Sequence, residues 1–128
     1  MTQYTILVID DDEDIRQFLK RTLETAGGYT VLTAGNGRDG IKQARKKLPD
    51  LVLLDIMMPG LDGFDVLKRL KSDYKTMSIP VVILSSETSE EIKVKGASLY
   101  SDLYLTKPIT RDDLLEKVGQ ALKRNRPR

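Results

Sequence analysis

Pro49-Asp50-Leu51-Val52-Leu53-Leu54-Asp55 is a run of four aliphatic residues with no polar alternation, introduced by a turn dipeptide and closed by a carboxylate. A strand with one wet face alternates apolar and polar side chains. An unbroken aliphatic run of strand length therefore points to burial on both faces, as in parallel sheets. Two further runs are built alike. Ile6-Leu7-Val8-Ile9 is followed by Asp10 and Asp11, and Val81-Val82-Ile83-Leu84 opens after Pro80 and ends at Ser85 and Ser86. Tyr29 to Ala34 is rich in β-formers, and Leu103-Tyr104-Leu105 makes a short fifth run ahead of Lys107 and Pro108.

Between these runs the apolar spacing changes to that of helices. Ile15, Phe18, Leu19, Thr22, Leu23 and Ala26 recur at intervals of three and four, predicting a buried helix face that ends at Gly27-Gly28. Asp39 to Leu48 predicts a second helix on Ile41, Ala44 and Leu48, and Gly63 to Lys71 a third on Phe64, Leu67 and Leu70. Thr88 to Leu99 predicts a fourth with the poorest apolar register, and its Gly96 costs about 1 kcal/mol against Ala. Leu114, Leu115, Val118, Ala121 and Leu122 mark the fifth. Five alternating strand–helix units predict a doubly wound α/β fold, a five-stranded parallel sheet covered by five helices.

The length of 128 residues, with 40% hydrophobic and 31% charged, suits one globular domain over 1–128, with a core over about 4–122 and a basic tail over 123–128. Cysteine and histidine are both absent, which excludes disulfide scaffolds, thiolate zinc sites, cysteine nucleophiles and a histidine general base. A net charge of +2 argues against nucleic-acid binding across the surface. Without a membrane-length apolar run or a signal pattern, the expected location is the cytoplasm, away from the membrane.

Ligands of such sheets sit beyond the carboxyl ends of the strands. There stand Asp10 and Asp11, then Asp55, then Ser85, then Lys107. Each alone suits a cap, a turn or a solvated charge. Together they converge three carboxylates, a hydroxyl and an ammonium. Two carboxylates about 4 Å apart repel by roughly 4 kcal/mol at an effective dielectric of 20, so a cation must complete the site. Oxygen ligands alone select a hard divalent ion, and Mg²⁺ suits a site that shares its ion with a phosphoryl group.

The chain resembles the receiver domains of bacterial two-component response regulators. The resemblance rests on Ile6 to Asp12, on Pro49 to Gly63 with its Asp-Ile-Met-Met-Pro-Gly-Leu-Asp-Gly, on Pro80 to Ser85, and on Tyr104-Leu105-Thr106-Lys107-Pro108. It implies a flavodoxin-like strand order of 2-1-3-4-5, the order for which receivers are a standard example. It further implies a signalling switch rather than a turnover enzyme, with Asp55 accepting a phosphoryl group. Mg²⁺ is held by Asp10, Asp11, Asp55 and the Met57 backbone carbonyl; Lys107 pairs with the phosphoryl group, Ser85 is the switch hydroxyl and Tyr104 the switch aromatic. The implied partners are a sensor histidine kinase or a histidine phosphotransfer protein. A second copy is also implied, paired through the face of the fourth helix, fifth strand and fifth helix.

One departure concerns the Gly-Ala usual before the fifth strand, a position held here by Tyr100-Ser101 while Gly96-Ala97 stands earlier. Met57 and Glu87 fall at positions that vary in the family and influence phosphoryl lifetime. Two other functions compete. A haloacid-dehalogenase-type phosphohydrolase needs a second Asp two residues after its nucleophile, where this chain has Met57, and the alternative Asp10-x-Asp12 lacks the following Thr or Val. A flavodoxin-like nucleotide module lacks any G-x-G-x-x-G or P-loop lysine to support it.

Overall fold

The computed structural model describes residues 3–58, 60, 62–86 and 103–124. The strands are β1 (Thr5–Ile9), β2 (Thr30–Ala34), β3 (Leu51–Asp55), β4 (Val81–Ser85) and β5 (Leu103–Thr106). All pair in parallel, in the order β2-β1-β3-β4-β5. The helices among the described residues are α1 (Glu13–Thr25), α2 (Gly37–Lys47), α3 (Gly63–Ser72) and α4 (Arg111–Arg124). The helix expected over 88–99, with Gly96, Glu87 and Tyr100, lies outside the described residues, as do residues 125–128 of the basic tail.

The aliphatic runs are buried on both faces because alternate residues feed two cores. Leu7, Ile9, Val52, Leu54, Val81 and Ile83 pack with Ala44, Val66, Leu67 and Leu70 of α2 and α3. Ile6, Val8, Leu51, Leu53, Val82 and Leu84 face the other way, onto Leu19 and Leu23 of α1 and Leu114, Val118 and Ala121 of α4. Full burial of each such Leu, Ile or Val contributes roughly 1.5–3 kcal/mol, so a polar residue in any of these runs would break the fold at its centre.

Helix ends depart from the sequence reading in instructive ways. Phe18, placed by spacing on the buried face of α1, is 41% exposed, and Ala26 is exposed as the C-cap. The packed stripe is narrower, on Leu19, Thr22 and Leu23. Of the Gly27-Gly28 pair, Gly28 takes the left-handed turn at φ 71°. Leu48 does not extend the face of α2; it caps that helix in the left-handed region at φ 48° and stands 55% exposed.

Gly119 lies inside α4, and a Cβ there would meet nothing within 4 Å. Glycine in a helix interior is less favourable than alanine by roughly 0.5–1 kcal/mol. Gly119→Ala is therefore expected to raise unfolding free energy by about that amount, read as a higher urea midpoint at unchanged slope; a lower midpoint would show that the notch is needed.

Candidate functional site

The carboxyl ends of β1, β3 and β4 and the residue after β5 meet at one edge of the sheet. Asp10 follows β1 fully buried, its N–H bonded to the Ala34 carbonyl at 3.1 Å. Asp55 ends β3 in register with Leu84 and is 2% exposed. Ser85 ends β4, buried, and its carbonyl accepts the Lys107 N–H at 2.8 Å. That bond brings Lys107 over the strand ends, where Nζ lies 3.3 Å from Asp10 Oδ2 and 3.5 Å from Asp55 Oδ1. Parallel register places these groups side by side although they come from distant parts of the chain.

The acidic run at 10–14 separates into two jobs. Asp10 and Asp11 join Asp55, each offering an oxygen such that the three lie within 4.8 Å of one another. Asp12 is the N-cap of α1, accepting the N–H groups of Asp14 and Ile15, and Glu13 and Asp14 occupy the first turn, where acids suit the helix dipole. Asp12 Oδ1 is thus engaged with the backbone at the start of α1.

Burial pushes the Asp55 carboxyl up from its ordinary 3.8 to about 6. The Met57 N–H, donating to Asp55 Oδ1 at 3.0 Å, opposes that rise, the negative charge of Asp10 adds to it, the positive charge of Lys107 opposes it, and the Asp11 side chain adds to it. A cation among the three carboxylates would reverse the balance. Carboxylate oxygens with no nitrogen or sulfur ligand fit a hard ion such as Mg²⁺. The Met57 backbone lies against Asp55 through that same hydrogen bond, while the residue as a whole is 54% exposed.

Tyr104, on β5, is half-buried against the core cluster of the α2–α3 side. Its Oη is buried with no hydrogen-bond partner among the described residues. Sequence reasoning missed Arg16, which it did not single out, and the role of Gly63, which it quoted only in a motif and as the start of the third helix. Arg16 Nη1 donates to the Asp10 carbonyl at 2.7 Å. Gly63 brings α3 against the segment from Asp55 to Ile56, its N–H bonded to the Ile56 carbonyl at 3.2 Å. Only the fold brings either of them to the site.

The model of the response regulator receiver domain family matches residues 6–119. The chain belongs to that family. The receiver is 41% identical over 117 residues to Protein PilH of Pseudomonas aeruginosa, covering 91% of this chain and 96% of that one. It is 36% identical to the phosphate regulon transcriptional regulatory protein PhoB of the same organism, over 99% of this chain but 55% of the relative. It spans about half the length of most of the curated relatives it matches. Among solved structures it superposes on the Vibrio cholerae chemotaxis protein CheY4 with a TM-score of 0.87 at 31% identity, covering 94% of this chain and 99% of that one. The receiver domain of Francisella response regulator 1452 gives 0.86 at 36% identity, covering 97% and 100%. The chain is therefore a phosphorylation-activated signalling receiver, a switch rather than an enzyme that turns over an external substrate. Among the described residues no helix is long and apolar enough to cross a membrane.

Proposed function

We propose that Asp55 is the phosphoacceptor of this receiver and that Asp10, Asp11, Asp55 and the Met57 carbonyl hold the Mg²⁺ on which the transfer depends. The observation that carries the reading is the set of three carboxylates within 4.8 Å of one another beside Lys107. An Asp55 carboxylate oxygen attacks phosphorus, the P–O bond to Asp55 forms as the P–N bond to a partner's histidine breaks, and the imidazole leaves with that electron pair. These 128 residues hold no histidine, so the donor histidine lies outside them, and the partner proposed is a sensor histidine kinase or a histidine phosphotransfer protein. Lys107, between Asp10 and Asp55, meets the negative oxygens of the arriving phosphoryl group. Bound Mg²⁺ supplies further neutralisation of that charge.

Ser85 and Tyr104 are read as the switch pair. Ser85 stands buried at the end of β4, and Tyr104 pairs in register with Ile83 on the adjacent strand. A phosphoryl group drawing the Ser85 hydroxyl inward would alter the space beside Tyr104, and so the face of β5 and α4, through which a second copy is proposed to pair. The same reading makes 1–128 one cytoplasmic receiver domain, with a core over about 4–122.

Intact mass after treatment with acetyl phosphate tests the reading. One phosphoryl equivalent is expected in Mg²⁺ and none in EDTA; uptake that ignores the chelator would overturn the metal assignment.

A further inference from the structure

Asp10 is held at every polar atom. Its N–H is bonded to Ala34, its Oδ1 accepts the Asp12 N–H at 2.9 Å, its Oδ2 faces Lys107, and its carbonyl accepts Arg16 Nη1 at 2.7 Å. Asp11, by contrast, is exposed. Its side chain meets that of Asp55, and the backbone it starts from is joined by one peptide to Asp10. The Asp10 carbonyl and the Asp11 N–H belong to one planar unit, so a bond that fixes the carbonyl also fixes where the Asp11 side chain departs.

We propose that Arg16 is a positioning residue for the metal half of the site, its guanidinium locking the Asp10–Asp11 peptide so that Asp11 is aimed at the ion beside Asp55. This inference rests on the proposed Mg²⁺ reading and deepens it. Two observations support it independently. The bond is short and charge-assisted, made by a half-buried side chain whose planar head is more weakly hydrated than an ammonium. Gly35 lies against the same group: the three atoms nearest to a Cβ built there all belong to the Arg16 guanidinium, with Nη1 at 3.1 Å. Gly35 therefore leaves the guanidinium the room its bond to Asp10 requires.

Removing the charge of Arg16 would by itself favour a nearby cation, opposing the loss of the bond, so the informative variants keep the charge. Arg16→Lys replaces the planar fork by a shorter, single-headed donor. Gly35→Val leaves Arg16 intact and displaces its head. Mg²⁺ titration of the ¹⁵N-labelled protein, followed by amide chemical shifts, is expected to give dissociation constants about tenfold weaker in each variant, a usual cost of losing an outer-shell partner. Because both act on one bond, the double variant should be no weaker than the worse single one. Acetyl phosphate uptake should return to the wild-type rate at saturating Mg²⁺. Dissociation constants within twofold of wild type in both single variants, or losses that multiply in the double, overturn the positioning role, whatever happens to urea stability. A wild-type protein without Mg²⁺ affinity overturns the metal reading itself and this inference with it.

Discussion

Asp55→Asn is expected to take up no phosphoryl group and, free of metal at pH 8, to be more stable than the wild type by about 3 kcal/mol. The stability effect follows from linkage. A carboxyl raised from 3.8 to about 6 binds its proton more tightly folded than unfolded, and each pKa unit is worth about 1.36 kcal/mol. For such a group the unfolded chain holds fewer protons than the native one between the two values, so native stability falls as pH rises through that window. Above about 6 the full penalty is present; below 3.8 it is gone. Asparagine keeps an oxygen for the Met57 N–H but never ionises, so it removes the penalty without emptying the bond at 3.0 Å. Urea unfolding in EDTA should therefore show a gap of about 3 kcal/mol at pH 8 that has nearly closed at pH 4. Mg²⁺ should narrow the gap at pH 8 by stabilising the wild type preferentially. A gap equally wide at both pH values would mean that the ionised Asp55 is not the source of the strain.

Gly63→Ala is the second large effect, and it acts through backbone. A Cβ at Gly63 would stand 2.3 Å from Ile56 Cα, 2.6 Å from the Asp55 carbonyl oxygen and 2.9 Å from the Ile56 carbonyl carbon. None of these is the end of a flexible side chain, so relief requires α3 to lift off or the segment after β3 to shift. Overpacking of this kind costs typically 1–3 kcal/mol and sometimes more, which outweighs the gain of up to about 1 kcal/mol that alanine brings to a helix. The displaced segment carries Asp55 and Met57, so Mg²⁺ affinity should fall with stability, by about tenfold or more. Urea unfolding and Mg²⁺ titration of one preparation check both halves. A variant as stable as the wild type would show that the approach of α3 to Ile56 is looser than described. Gly119→Ala is the control, the same chemical change in a helix where the added methyl meets nothing within 4 Å.

Some features of this receiver follow from its sequence alone, because their causes are local or periodic. Aliphatic runs such as Ile6 to Ile9 and Leu51 to Leu54 can be satisfied only by burial on both faces, and their alternation with amphipathic stretches admits few topologies. The same runs place Asp10, Asp11, Asp55, Ser85 and Lys107 at or just beyond strand ends, so the candidate site was legible as a set of positions before any distance was known. The packing of side chains between elements was not legible. Spacing puts Phe18 and Leu48 on apolar helix faces, yet both are exposed, because the neighbouring elements decide how wide a stripe each helix buries and where its chain turns away. Which acids of 10–14 serve the site and which cap α1 depends on where the helix begins. The reach of Arg16 to the Asp10 carbonyl and the seating of Gly63 on Ile56 exist only once α1 and α3 are docked. Periodicity specifies which residues turn inward. How far a docked helix turns its side chains and backbone toward a strand end, and which distant strand end Lys107 reaches, depends on the packing of whole elements, and only the tertiary structure decides it.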